Sequence, residues 1–349
     1  MSGFCPGTGI FMSGKKLSEH LQKMQELWVK PGKWPFYGVG SGFPVLDERV
    51  SDFRDGLYLF AGGAGVGKTT FLTQLVFQML VKNPQMYGFF LSLDMSYLDI
   101  VARFLSLASR LPVEKVRNPT NSQTAEEREK RENGIRLLEE LQYRLEIADQ
   151  SHECFNLESI EQEVARMREN AGDGIPLVIG IDPVLGISTP GIVSYREKSE
   201  LISEKLKVIA RKYGAGIVMS AQADNAARRE RPQLRDVENY TGLIYGSDMI
   251  GLLYNDSLNS YDTPFMEWEW GTEDLMVPIV ELNIVKNKHH SKLGRVFYRF
   301  FNSVTRYREC AEAEVDHYND MLGNLEYYNT DPRVKGKKNL QKKIYVAPE

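Results

Sequence analysis

Gly62-Gly63-Ala64-Gly65-Val66-Gly67-Lys68-Thr69-Thr70 fits the phosphate-loop pattern G-x-x-x-x-G-K-[ST], from Gly62 to the closing Gly67-Lys68-Thr69. Leu57-Tyr58-Leu59-Phe60-Ala61 before it is a short apolar run that reads as a buried strand. After it, Phe71, Leu72, Leu75, Val76, Met79 and Leu80 recur at helical spacing. Strand, glycine-rich loop and helix are the order the motif needs. Glycines let backbone N–H groups wrap a polyphosphate, and the helix start adds a favourable dipole. Lys68 would reach the β and γ phosphates, and the Thr69 hydroxyl would bind Mg²⁺. A chance match in a glycine-rich turn is the competing reading, and the flanking elements argue against it.

The chain has 349 residues, room for one large domain with extensions or for two domains. Hydrophobic content of 42% and charged content of 26% are those of an ordinary globular protein. No apolar run approaches the roughly 18 residues of a membrane span, and residues 1–14 lack the pattern of a secretory signal. Cys5, Cys154 and Cys310 are far apart and suggest neither a disulfide framework nor a zinc site, which fits a reducing cytoplasm. His289-His290 has no acidic or cysteine ligands beside it and reads as a loop. A protein that coats nucleic acid over its whole surface is usually basic, so a net charge of −4 argues mildly against nucleic acid. Any such contact would be local, or made by a ring that concentrates a few cations.

Further along, the pattern predicts helices over 15–30, from Ser96, over 157–170 and over 199–213. Strands are predicted at Tyr87–Leu93, Leu145–Ala148, Leu177–Asp182 and Gly216–Ala221, with another inside Ile244–Tyr254. Residues 279–285 and 295–301 read as a hairpin. Residues 118–142 mix both charges and read as a solvated helix face. Leu177-Val178-Ile179-Gly180-Ile181-Asp182 is an apolar strand with an acid at its carboxyl end. Alone, Asp182 could be an ordinary strand-end cap; beside a phosphate loop it reads as the aspartate that holds Mg²⁺. Alternating strands and helices predict an α/β fold with a mostly parallel sheet covered by helices. The expected organisation is an N-terminal segment with a linker helix (1–41), the α/β core (42–308) and a basic C-terminal tail (309–349).

Taken together these residues resemble the ATPase domain of DnaB-type replicative helicases, which are hexameric RecA-like P-loop ATPases. The resemblance runs from about Gly42 to Arg308. Ser92-Leu93-Asp94-Met95-Ser96 is similar to the family's S-L-E-M-S, Ile181-Asp182 to its Walker B, and Ser220-Ala221-Gln222 to its S-Q element. Leu234-Arg235-Asp236 resembles L-R-E, and Lys286-Asn287-Lys288 resembles K-x-R. The resemblance implies that Asp94 polarises the attacking water and that Gln222 senses the γ-phosphate. It implies that Lys286 and Lys288 reach the nucleotide of a neighbouring subunit. It implies that the loop from Ala223 to Tyr245 faces a central channel, where Arg228, Arg229 and Arg231 would contact the DNA backbone. A solvated surface cluster is the bland reading of these arginines. The implied cofactors are ATP and Mg²⁺. The implied partners are single-stranded DNA and further copies of the chain in a hexameric ring.

Two replacements depart from the family pattern. Asp94 is one methylene shorter than Glu, and a misplacement of about 1 Å can cost on the order of 100-fold in rate. Lys288 keeps the charge of an arginine finger but lacks its planar fork. The family's N-terminal collar domain is expected to be absent, with a possible partner protein in its place. The first functional expectation is an ATP-dependent DNA helicase or single-stranded-DNA translocase. The alternative is a nucleotide-dependent assembly or switch subunit with slow or no hydrolysis. A strand-exchange recombinase, which shares the core, fits the S-L-D-M-S and K-N-K elements less well.

Overall fold

The computed structural model describes residues 17–28, 38–50, 53–118, 124–150, 155–224, 231–255, 266–270 and 273–323. The chain divides into two units between residues 37 and 38. The first contains helix α1 (Leu17–Trp28), whose Leu17 and Leu21 are exposed.

The second unit is built on a nine-stranded sheet in the order β11-β10-β9-β6-β1-β5-β4-β2-β3. Its centre is β1 (Gly56–Gly62), parallel to β5 (Ala215–Gln222) on one side and to β6 (Met249–Asn255) on the other. β4 (Leu177–Asp182), β2 (Tyr87–Ser92) and β3 (Leu145–Asp149) continue the parallel part. β9 (Ile279–Asn287), β10 (Gly294–Phe301) and β11 (Arg306–Glu309) extend the other edge antiparallel. β7 (Met266–Trp270) and β8 (Glu273–Val277) form a separate antiparallel pair.

Every residue of β1 is buried, as befits a strand covered on both faces. Tyr58 and Phe60 join one core with Phe71, Leu72, Leu75 and Val76 of helix α3 (Lys68–Lys82). Leu57, Leu59 and Ala61 join the other. That second core is closed by Ile160 and Val164 of helix α7 (Leu157–Ala171) and Ile202, Leu206 and Ile209 of helix α8 (Tyr195–Tyr213). The side-chain period of two in a strand makes this division possible.

The remaining helices cover or frame these layers. They are α2 (Pro44–Val50), α4 (Tyr97–Ser109), α5 (Val113–Arg117), α6 (Ala125–Leu141), α9 (Thr241–Gly246) and α10 (Glu312–Gly323). The mixed-charge stretch is α6, started by a capping box between Thr124 and Glu127. The 244–254 region splits: Ile244 ends up in α9, and only the later part is strand β6.

The boundary expected at 308/309 falls within β11, and the described residues beyond it form helix α10, which packs on the sheet. Tyr318 of α10 is buried against Phe297, with ring centres 5.9 Å apart. Glu314 pairs with Arg299 and Arg308. Glu309 accepts from the amides of Val45 and Leu46 at 3.0 and 2.9 Å, capping the start of α2 and tying it to β11. Arg333, Lys335, Lys337, Lys338, Lys342 and Lys343, the basic residues of the expected tail, lie outside the described residues. Among the described residues no helix is long and apolar enough to cross a membrane.

Candidate nucleotide site

The register of the parallel strands gathers the motif residues at one edge. Gly62 lies opposite Gln222, and Ser92 opposite Asp182. Residues separated by 30 to 160 positions thus reach the carboxyl end of the sheet at the same level, where open α/β sheets bind ligands. The loop leaves β1 there and turns into α3 at Gly67, whose φ of +96° favours glycine.

Lys68 folds back over the loop. Its Nζ donates to the carbonyls of Gly62 (3.0 Å) and Gly63 (2.8 Å) and to Oε1 of Gln222 (3.0 Å). Burial pushes the Lys68 ammonium pKa down, and the charge of Asp182 opposes that shift. Asp182 is only 3% exposed and accepts a hydrogen bond from the Ser220 hydroxyl. Asp94 stands just past β2, exposed, with no carboxylate partner among the described residues.

An ATP phosphate chain fits these groups. A partly buried ammonium whose hydrogen-bond acceptors are all neutral is a natural receptor for an anion. For Mg²⁺, Asp182 and the Thr69 hydroxyl are the candidate protein donors that the sequence singles out. Among the described residues no cluster of three or more His, Cys, Asp or Glu could hold a metal. Such a site suits an ion that takes the rest of its shell from phosphates and water.

Lys286 and Lys288 do not approach Lys68 within the chain; they converge on the end of α9. Lys286 Nζ donates to the carbonyls of Ile244 and Tyr245. Lys288 Nζ donates to Tyr245, Gly246 and Asp248, the last at 3.1 Å. Lys207 joins them, 3.1 Å from the Gly246 carbonyl. Cations at a helix C-terminus complement its unpaired carbonyls. Crowding has a cost: burial, then the Lys288 charge, lowers Lys286 to about 8. Burial alone would raise the Asp248 carboxyl, but the Leu57 amide and Lys288 outweigh it and hold it below the usual range.

Arg231 is held by Glu281, a carboxylate 2% exposed, and its guanidinium lies over the Tyr254 ring at 5.2 Å. It is therefore tied to β9 and β6, and the stretch expected as one loop from Ala223 to Tyr245 is helical from Leu234 onward, because Val237 and Leu243 pack into the core beside α8. Arg228 and Arg229 lie outside the described residues.

Sequence reasoning missed three further groups. Arg103 of α4 donates to the Thr70 hydroxyl at 2.9 Å. Tyr307 of β11 reaches the carbonyls of Val66 and Gly67. Gln74 of α3 brackets the backbone of Tyr307, donating to its carbonyl at 2.8 Å and accepting from its amide at 2.6 Å. Helical spacing marks Arg103 as seven residues past Ser96, but no local signal aims it at the loop. Gln74 interrupts an apolar helix face, which was the one available cue.

Fold and site define a RecA-like phosphate-loop protein. The chain belongs to the DnaB-like helicase C-terminal domain family, whose model matches residues 38–309. A relative from Trieres chinensis described as "Probable replicative DNA helicase" is 24% identical over 292 residues. That match covers 82% of this chain and 60% of the relative, so the chain spans less than two thirds of its length. Among solved structures, the ATPase domain of G40P superposes with a TM-score of 0.71 at 20% identity, covering 86% of this chain and all of that one. A DnaB-like replicative helicase, in a structure that describes its interactions with primase, gives 0.67 at 20% identity over 84% of this chain and 67% of that one. A KaiC-like protein from Pyrococcus horikoshii gives 0.50 at 16% identity over 79% of this chain and 100% of that one. These structures share the fold.

Proposed function

We propose that the chain is an ATP-dependent motor that assembles as a hexameric ring and moves along single-stranded DNA. The observation that carries the reading is the convergence of Lys68, Gln222 and Asp182 at the end of the central strands, within a DnaB-like domain. In this reading Lys68 and the loop amides hold the phosphates, while Asp182 and Thr69 hold Mg²⁺, which would neutralise developing phosphate charge. Asp94 orients the attacking water. Gln222, hydrogen-bonded to Lys68 and ending the strand that leads into the 223–231 connection, couples the phosphates to a channel loop. Arg228 and Arg229 contact the DNA backbone, and Arg231 fixes the loop end through Glu281.

Lys286 and Lys288 act on the nucleotide of the adjacent subunit. Their parking on α9 carbonyls, with the short Asp94, favours a second reading: an ATP-dependent assembly switch with slow turnover. Steady-state ATP hydrolysis with and without single-stranded DNA separates the two. The motor requires turnover to rise several-fold with DNA; nucleotide binding with no DNA response would leave the switch.

The finger role also has a pH signature. Lys286 is charged below about 8 and loses its charge as pH rises through that value, against an ordinary 10.5. kcat/KM, which reports free-enzyme ionisations, is expected to decline as pH rises through about 8. Lys286→Arg, charged throughout, is expected to flatten that limb. A profile unchanged by the substitution would remove Lys286 from the role.

A further inference from the structure

The loop carbonyls on the side of β11 meet a hydroxyl that neither the motif nor the family resemblance assigns. Tyr307 Oη lies 3.1 Å from the Val66 carbonyl oxygen and 3.3 Å from that of Gly67. The Gly67 carbonyl already accepts the Phe71 amide at 2.9 Å as the helix begins. A β-carbon at Gly67 would sit 2.1 Å from Tyr307 Oη, so the tyrosine occupies the space that glycine leaves open.

Tyr307 has little freedom to move. Its ring stacks on Phe300 with centres 4.4 Å apart and meets Phe71 edge-on at 5.5 Å. Both of its backbone groups are bonded to the Gln74 side chain. It is 1% exposed, and burial pushes its phenol pKa well up, so the hydroxyl keeps its proton and remains a donor.

A trans peptide is planar, and its C=O and N–H point in opposite directions. The single hydroxyl proton is shared between the two carbonyls: drawing the Val66 carbonyl toward Tyr307 aims the Gly67 N–H away from it, and the Gly67 carbonyl, held also by the Phe71 amide, does the same for the Lys68 N–H. Amides at this turn are those that a phosphate loop offers to its anion. We propose that Tyr307 is a positioning residue for the nucleotide: its hydroxyl presets the two peptide planes whose N–H groups receive the phosphates. This rests on the nucleotide-binding reading above and adds a residue more than 200 positions from the loop.

The test is equilibrium titration of the full chain with MgADP, alongside kcat and KM for ATP. Tyr307→Phe keeps the ring and the Gln74 bonds and removes only the hydroxyl. Loss of one such hydrogen bond is expected to weaken MgADP binding by about three- to tenfold and to raise KM in step, with kcat at saturation nearly unchanged. The control is Tyr298→Phe in the same aromatic cluster. Tyr298 is buried, its hydroxyl has no hydrogen-bond partner among the described residues, and its ring is 5.9 Å from that of Tyr307. It should leave MgADP affinity as in the wild type. Wild-type affinity in Tyr307→Phe, with or without a lower melting temperature, would overturn the proposal and leave the nucleotide reading standing. Equal losses in both variants would also overturn it, since the effect would then be one of core packing. Failure of the wild type to bind MgADP would overturn both.

Discussion

Lys68→Ala is expected to lower ATP turnover by about 100- to 1,000-fold, the scale of losing one preorganised charge at a reacting centre. The three acceptors around Nζ show why no neighbour substitutes for it. Gly62, Gly63 and Gln222 turn oxygens toward it and none carries a positive charge, so truncation leaves no cation in its place. The fold should survive, because the deleted group is itself held against burial. Rate measurements, MgADP titration and a melting curve on the same preparation check this. Turnover within about tenfold of wild type would place the chemistry elsewhere. Lys68→Arg is a useful companion: it keeps the charge, but its planar fork does not match a site built for one ammonium.

Asp182→Asn is expected to be the next most damaging change, with turnover down by roughly 100-fold and a loss of Mg²⁺ dependence in the remaining rate. The amide keeps the shape of the carboxylate and still accepts from Ser220, so the defect would be one of charge. Asp182 also supports the charged form of Lys68, so its neutralisation should lower the Lys68 pKa further. The new amide N–H₂ would be buried beside the strand end, at a stability cost of about 1–3 kcal/mol if it finds no acceptor. Initial rates across a Mg²⁺ series, with ADP binding measured in chelator, separate the metal defect from a binding defect. An unchanged Mg²⁺ dependence would remove Asp182 from the metal role.

Much of the site was legible because its parts are contiguous. The loop, the β1 run before it and the α3 stripe after it form one local unit, and each apolar run ends in the residue that reaches the site. Asp182 was singled out this way; the strand ending at Gln222 was read the same way, but the role of Gln222 was implied only by the family resemblance. Lys286 and Lys288 were found only through the family resemblance, and their embrace of the α9 carbonyls had no sequence signal. It depends on α9 lying close against α8: a β-carbon at Gly242 would be 2.3 Å from the Glu200 Cα, and one at Gly246 1.6 Å from the Ser203 hydroxyl. Such an approach is a property of two helices, not of either one. Arg231 looked like a free cation because Glu281, its partner, lies 50 residues away on another strand.

From the sequence alone came the class of fold, the phosphate loop and the succession of strands and helices along the chain. These follow from side-chain periodicity and from the φ freedom of glycine, both set by near neighbours in the chain. The tertiary structure alone decided the strand register that levels Gly62 with Gln222 and Ser92 with Asp182, and the return of β11 that brings Tyr307 under the loop. The Gln74–Tyr307 bonds span 233 residues. No local pattern encodes a pairing at that separation, because it forms only when the two cores close on the sheet and leave one place for each buried polar group to find its partner.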